Sequence, residues 1–155
     1  MRRPPRRKAS LAVAALLVTI AAGLGGAGGA QAAATHAQKM RLTQTNRSCD
    51  GAVIGAPATR AFGFAVVRKT AHGRLIVTVA LKGGPANTTY NIRLIQLVAG
   101  DADCPVVAGT LTTDADGNGN ANVHEAVLPG ASRVWVDLNN QANFAEFFDT
   151  PVVAF

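Results

Sequence analysis

The stretch Leu75-Ile76-Val77-Thr78-Val79-Ala80-Leu81 limits this chain more than any other. Leu75, Val77, Val79 and Leu81 fall on every second position, and successive side chains of a strand point to opposite faces. A period of two therefore predicts a half-buried β-strand. Val134, Val136 and Leu138 repeat the pattern around Trp135 and Asp137. Further β-rich runs extend over Lys39 to Asn46, Phe62 to Thr70, Thr89 to Val98, Val106 to Thr113, Ala121 to Leu128 and Phe147 to Phe155. Between them stand Ala71-His72-Gly73-Arg74, Lys82-Gly83-Gly84-Pro85, Leu128-Pro129-Gly130 and an Asp/Gly/Asn cluster after Thr113. These supply the positive-φ and fixed-φ residues that tight turns need. No run of ten or more residues has helical periodicity. The expectation is an all-β fold, an antiparallel β-sandwich of seven or eight strands, with a closed barrel as the alternative.

The N-terminal end reads as a secretory signal peptide over residues 1 to 34. Arg2, Arg3, Arg6, Arg7 and Lys8 precede the charge-free apolar run Ser10 to Ala22, and small-residue cleavage sites follow at Ala32 and Ala34. The run is short for a membrane span, which needs ~20 apolar residues. This reading changes the electrostatics. The formal net charge of +6 invites nucleic acid as a partner, but five of the fifteen Lys and Arg lie in the leader and all nine acids lie after it. The remaining basic residues are scattered, so nucleic acid is excluded as the expected partner. Residues 35 to 155 suffice for one domain with a modest core. One Trp and one Tyr are too few for the aromatic girdles of an outer-membrane barrel. Cys49 and Cys104, an even pair in an exported chain, are expected to form one structural disulfide.

The runs LIVTVALKGGPANTTYNIRLIQ, GTLTTDADGNGNA and RVWVDLNN resemble segments of the small exported β-sandwich proteins of actinobacteria. The TTDADGNGNA turn also resembles the apoproteins of enediyne chromoproteins, and that likeness implies an architecture that is immunoglobulin-like in general outline. Those apoproteins carry two disulfides where this chain has cysteines for one. In true immunoglobulin domains a Trp lies between the two cysteines, whereas Trp135 follows both.

The Asp/Gly/Asn cluster is the one stretch with the pattern of a chemical site. From Asp114 it matches D-x-[DN]-x-[DN]-G-x5-E through to Glu125. Asp114, Asp116, Asn118, Asn120, Asn122 and Glu125 fall where a calcium ion would find its oxygens. An EF-hand loop, however, lies between helices. Here the flanks are strand-like, and Asp-Gly and Asn-Gly between β-rich runs are hairpin signals. The expectation is a plain turn, with calcium the alternative. Glu125 shares strand parity with Val123 and Val127, so its charge would face an apolar surface. A ligand role, a bulge or an edge position would each explain that placement.

Little else points to catalysis. His36, His72 and His124 have no Cys or Ser nucleophile at a suggestive spacing, and paired-carboxylate and phosphate-loop motifs are not found. Phe144, Phe147 and Phe148 read either as an exposed patch or, by preference, as the docking of the last strand onto the core. No enzymatic activity is expected. The functional expectation is an exported protein with a binding or interaction role in the cell envelope or medium, its partner a protein or a cell-wall ligand. A calcium-stabilised module and a secreted hydrolase are the alternatives.

Overall fold

The computed structural model describes residues 36–99, 101, 102 and 104–155; the leader expected over residues 1 to 34 lies outside them. The described residues form ten strands in order: β1 (Gln38–Thr43), β2 (Ala61–Lys69), β3 (Arg74–Leu81), β4 (Thr89–Val98), β5 (Asp101–Ala102), β6 (Gly109–Thr112), β7 (Gly119–Ala126), β8 (Arg133–Asn140), β9 (Phe147–Asp149) and β10 (Val153–Ala154). Every pairing is antiparallel, and the described residues contain no helix. The run expected from Phe147 to Phe155 is two short strands instead. Pro151 interrupts it, because proline has no N–H to give a ladder. Thr150 maintains contact at the break: its N–H donates to the Val136 carbonyl at 3.0 Å, and its hydroxyl accepts from the Val136 N–H at 2.9 Å.

The hydrogen-bonded path runs β5-β4-β8-β9-β1-β2-β3-β7, with β6 on the free side of β4 and β10 on β8. β6 turns directly into β7, so it bridges the two ends of that path and the sheet curls nearly into a barrel. The close approach of β6 and β7 depends on glycine. A Cβ at Gly119 would stand 2.6 Å from a Leu111 methyl carbon and 2.8 Å from the Thr112 carbonyl oxygen. On the other side the seam is narrow, since β1 and β9 are joined by the single pair Thr43–Asp149.

The inward face follows the period of two. Val77, Val79, Ile92, Leu94, Val136 and Leu138 are buried there with Leu42 and Leu111. Phe148 stands among them, its ring 4.9 Å from Phe62 and 5.6 Å from Tyr90 between centroids. Gln96 also faces inward and is fully buried. Its amide nitrogen donates to the Ala126 carbonyl at 2.9 Å and to Glu125 at 3.4 Å, while its oxygen accepts from the Leu128 N–H at 3.0 Å. This accounts for the charge on the apolar side of β7: Glu125 is answered by an amide reaching across from β4.

β8 departs from the expected half-buried strand. Val134 through Leu138 are all buried, on both faces. Trp135 packs outward against Ile95 and Leu97, with Val152 and Cys104, in a second small cluster. What covers this outer face is the segment after β1, which holds the candidate site.

Candidate functional site

The site grows from register. Outward-facing residues of β4, β8 and β9 fall into rows across the three strands. Arg93 pairs with Asp137 and Ile95 with Trp135, and Asp137 pairs in turn with Asp149. Arg93, Asp137 and Asp149 therefore stand side by side in one line, although Asp137 and Asp149 belong to different strands and carry no common motif.

A short hairpin closes over this row. The Ile54 N–H donates to the Asn46 carbonyl at 2.8 Å and the Ser48 N–H to the Ala52 carbonyl at 3.0 Å. Gly51 sits at the bend with φ +82°, where a Cβ would collide with a Val152 methyl carbon. Two links fasten the hairpin to the sheet. One is the Cys49–Cys104 disulfide, with a Cα–Cα distance of 5.7 Å; the other is the Trp135 indole N–H, which donates to the Cys49 carbonyl at 3.4 Å. The expected disulfide is thus present, and it holds the cover of the site.

Between cover and sheet lies a half-open cavity of about 480 Å³. Its charged and polar lining is Asn46, Arg47, Arg93, Asp137, Asn139 and Asp149, and its aromatic lining is Trp135, Phe144 and Phe147. Asp137 is saturated. It accepts from the Arg93 guanidinium in an ion pair and from the Asn139 amide at 2.8 and 3.0 Å. Arg93 also donates to the Cys104 carbonyl at 3.3 Å. Asp149 is 3% exposed. Burial, reinforced by the hydrogen bond with Asp137 and by its charge, pushes the Asp149 carboxyl up to about 9 against the opposing pull of Arg47 and Arg93. The two neighbouring carboxyls therefore hold a proton well above the usual carboxylate range, with Asp149 the raised member.

Two polar atoms here have no hydrogen-bond partner among the described residues, Asp149 Oδ1 and Arg47 Nε. Arg47 is held by one terminal nitrogen, which donates to the Gly51 carbonyl at 2.8 Å. Buried polar atoms are paired in the great majority of cases, since an unpaired one costs roughly 1–3 kcal/mol. Both atoms are closed off from solvent, so they are a cost of the packing behind the cavity rather than contacts open to a ligand.

The sequence-derived candidates lie elsewhere. Asp114 closes a tight turn: its Oδ1 accepts from the Asp116 N–H at 2.9 Å and the Asn118 N–H at 2.8 Å, and its own N–H donates to the Asn118 carbonyl at 2.8 Å. Asn118 Oδ1 accepts from the Gly83 N–H at 3.4 Å, and Asn122 accepts from the Thr78 hydroxyl at 2.7 Å across to β3. Asp116, Asn120 and Asn122 are exposed. Glu125 lies six strand residues beyond Gly119, roughly 20 Å along β7 at ~3.3 Å each, with its side chain turned to Gln96. The six oxygen donors are spread over a turn and both faces of a strand. No cluster of three or more His, Cys, Asp or Glu gathers for a metal among the described residues.

His36, His72 and His124 are exposed. The three phenylalanines divide: Phe148 docks into the core, while half-buried Phe147 and Phe144, 71% exposed, line the cavity. Reading the sequence for paired carboxylates missed Asp137 and Asp149 because register, not spacing, pairs them. The available signal was that Asp137 shares strand parity with Trp135, a polar residue on a face that is also aromatic. Comparison with protein-family models, with curated proteins and with solved structures returned no match.

Proposed function

We propose that the protein is an exported, non-enzymatic binding module of the cell envelope or medium, and that the cavity over β4, β8 and β9 receives a small polar ligand. The observation that carries this reading is the cavity itself, which brings Arg47, Arg93, Asp137 and Asp149 together with Trp135, Phe144 and Phe147. Its volume falls in the ~300–1,000 Å³ range of small-molecule sites. The disulfide that fixes its cover persists in oxidising compartments, in keeping with a leader peptide and export. Asp137 is fully engaged in holding the site together, which favours binding over catalysis. The narrow β1–β9 seam supports treating the curled sheet as the two leaves of an immunoglobulin-like sandwich, the outline shared with small exported actinobacterial proteins.

The test is a thermal-shift and Trp-fluorescence screen of the oxidised protein against saccharides, organic anions, polyamines and short peptides. Trp135 is the chain's single tryptophan and lines the cavity, so occupancy changes its emission. Saturable binding weakened by Arg47→Ala is the expected result. Silence across the whole screen, or turnover in an esterase, protease and glycosidase panel, overturns the reading.

A further inference from the structure

Basic residues that are scattered along the sequence are gathered by the register of the sheet. The outward face of β1, β2, β3 and β7 carries Lys39, Arg41, Arg68 and Arg74, all exposed. Lys39 is paired with Val66 and Arg41 with Phe64, Arg68 with Ile76 and Arg74 with Ala126. Arg41 and Lys39 are thus two residues apart along β1. Arg68 stands one strand over and two residues further on, and Arg74 repeats that step onto β3. Neighbouring cations are about 7 Å apart along the strand and about 7–8 Å apart on each diagonal, so the line extends over roughly 20 Å.

No acid interrupts this line. Glu125 is the single acid on these four strands, and its side chain turns inward to Gln96. Four like charges in a row repel one another, and a partner with negative charges at matching intervals relieves that repulsion. The rest of the face says which anion fits. Its one phenylalanine, Phe64, is half-buried under the Lys39 ammonium, which stands 3.9 Å from the ring centroid. No open Phe, Tyr or Trp ring is left here as the stacking platform that single-stranded nucleic acid uses. The exposed large apolar residues Val53, Ile54, Val106, Val107 and Phe144 belong to other segments, so the face lacks the apolar anchors that a lipid surface takes. Thr78, Asn120 and Asn122 are exposed beside the line and offer partners to hydroxyl groups. A linear chain of phosphates joined through short polyols brings both single charges at this scale of spacing and hydroxyls between them.

We propose that this face binds a linear polyol phosphate of the cell envelope, with Lys39, Arg41, Arg68 and Arg74 each answering one phosphate. The choice of an envelope polymer rests on the export reading above. The face is separate from the cavity, whose lining includes none of the four.

The test titrates the oxidised protein with soluble poly(glycerol phosphate) by calorimetry over a series of NaCl concentrations. Saturable binding is expected, its association constant falling on a log–log plot against salt with a slope of about −3, the value for four phosphates neutralised on a single strand. Arg68→Gln and Arg74→Gln should each make that slope shallower by about 0.7 while leaving Tm nearly unchanged, since both side chains are exposed. Arg133→Gln removes the same charge from β8, at another exposed position, and should leave the slope as it was. An oligodeoxynucleotide, polygalacturonate and phosphatidylglycerol vesicles are titrated in parallel. Tighter binding of the polyuronate or the vesicles overturns the polyol phosphate and leaves the export reading standing; tighter binding of the oligonucleotide overturns both. An equal effect of Arg133→Gln and Arg68→Gln overturns the assignment to this face. Absence of binding by the polymer overturns the proposal and leaves the cavity to its own screen.

Discussion

Two acidic regions of this molecule invite opposite conclusions about where chemistry resides. The turn after β6 is rich in Asp and Asn and matches a metal-loop pattern, yet its central carboxylate is used up by local backbone amides. The row Arg93–Asp137–Asp149 matches no pattern, yet it places a buried carboxyl raised far above its usual range and an ion pair in the wall of a cavity. An exposed Asp flanked by Gly and Asn is the ordinary material of a turn, because its short side chain bonds the amides two to four residues on. A buried Asp opposite another Asp has no such local use. Burial and convergence distinguish the two regions, and density of acidic letters does not.

The largest expected effect separates the cover of the row from the turn. Replacing Cys49 and Cys104 together by Ser opens a loop of 55 positions, for which chain entropy gives roughly 4 kcal/mol. Denaturant unfolding should show that loss, with Trp135 emission shifting to the red as the hairpin lifts. The turn, at the far end of β6, should keep its amide protection in the native state.

Next in size is Asp137→Ala. Removing one partner of a buried pair costs about 3–5 kcal/mol when both are fully enclosed. Arg93 keeps 28% of its side chain exposed, which lowers the expectation to about 2–4 kcal/mol. Equilibrium unfolding in urea measures it. A loss no greater than that of Asp114→Ala would erase the distinction between the two regions.

The pH dependence sharpens the comparison further. Asp149 titrates near 3.8 in the unfolded chain and at about 9 in the fold. Between those values the folded state holds a proton that the unfolded state has released. The stability from this group is complete below the lower value and is lost as pH rises through the upper one. Asp149→Asn, neutral throughout, should therefore gain on the parent protein as pH is raised, in a series of unfolding curves across that window. Parallel curves for the two proteins would contradict a raised Asp149.

The smallest effect belongs to the turn. Asp114→Ala removes two hydrogen bonds at an exposed site and should cost about 1 kcal/mol, read as a small fall in Tm. Calcium added at millimolar concentration, against chelator, should not move Tm, since native-state binding at a hundredfold excess over Kd would add ~2.7 kcal/mol. A clear calcium shift that Asp114→Ala abolishes would return the turn to the status of a site.

Several features are legible in the residues alone. The strand Thr89 to Val98 appears with those bounds, and β3 shows the alternation of its sequence, with Leu75, Val77, Val79 and Leu81 buried. The turn at Asp114 and the Cys49–Cys104 pairing are also as expected. The errors have physical causes too. β8 reads as half-buried because a period of two on one face says nothing about a loop arriving from elsewhere to cover the other. Two further strands among the described residues, of two residues each, are not foreseen because they take their identity from a neighbour rather than from a pattern.

What the sequence by itself determined is what a few adjacent residues can determine: extended backbone from alternating apolar residues, turns from Gly, Pro, Asn and Asp, and a disulfide from a lone pair of cysteines. Only the tertiary structure decided that β4, β8 and β9 would lie side by side in a register that sets Arg93, Asp137 and Asp149 in one row. Only it decided that the hairpin from Asn46 to Ile54 would cover them. Strand propensity acts over a single turn or rung of backbone. Which rungs meet depends on how the whole sheet curls to bury its inner face, and that is a property of all its strands together.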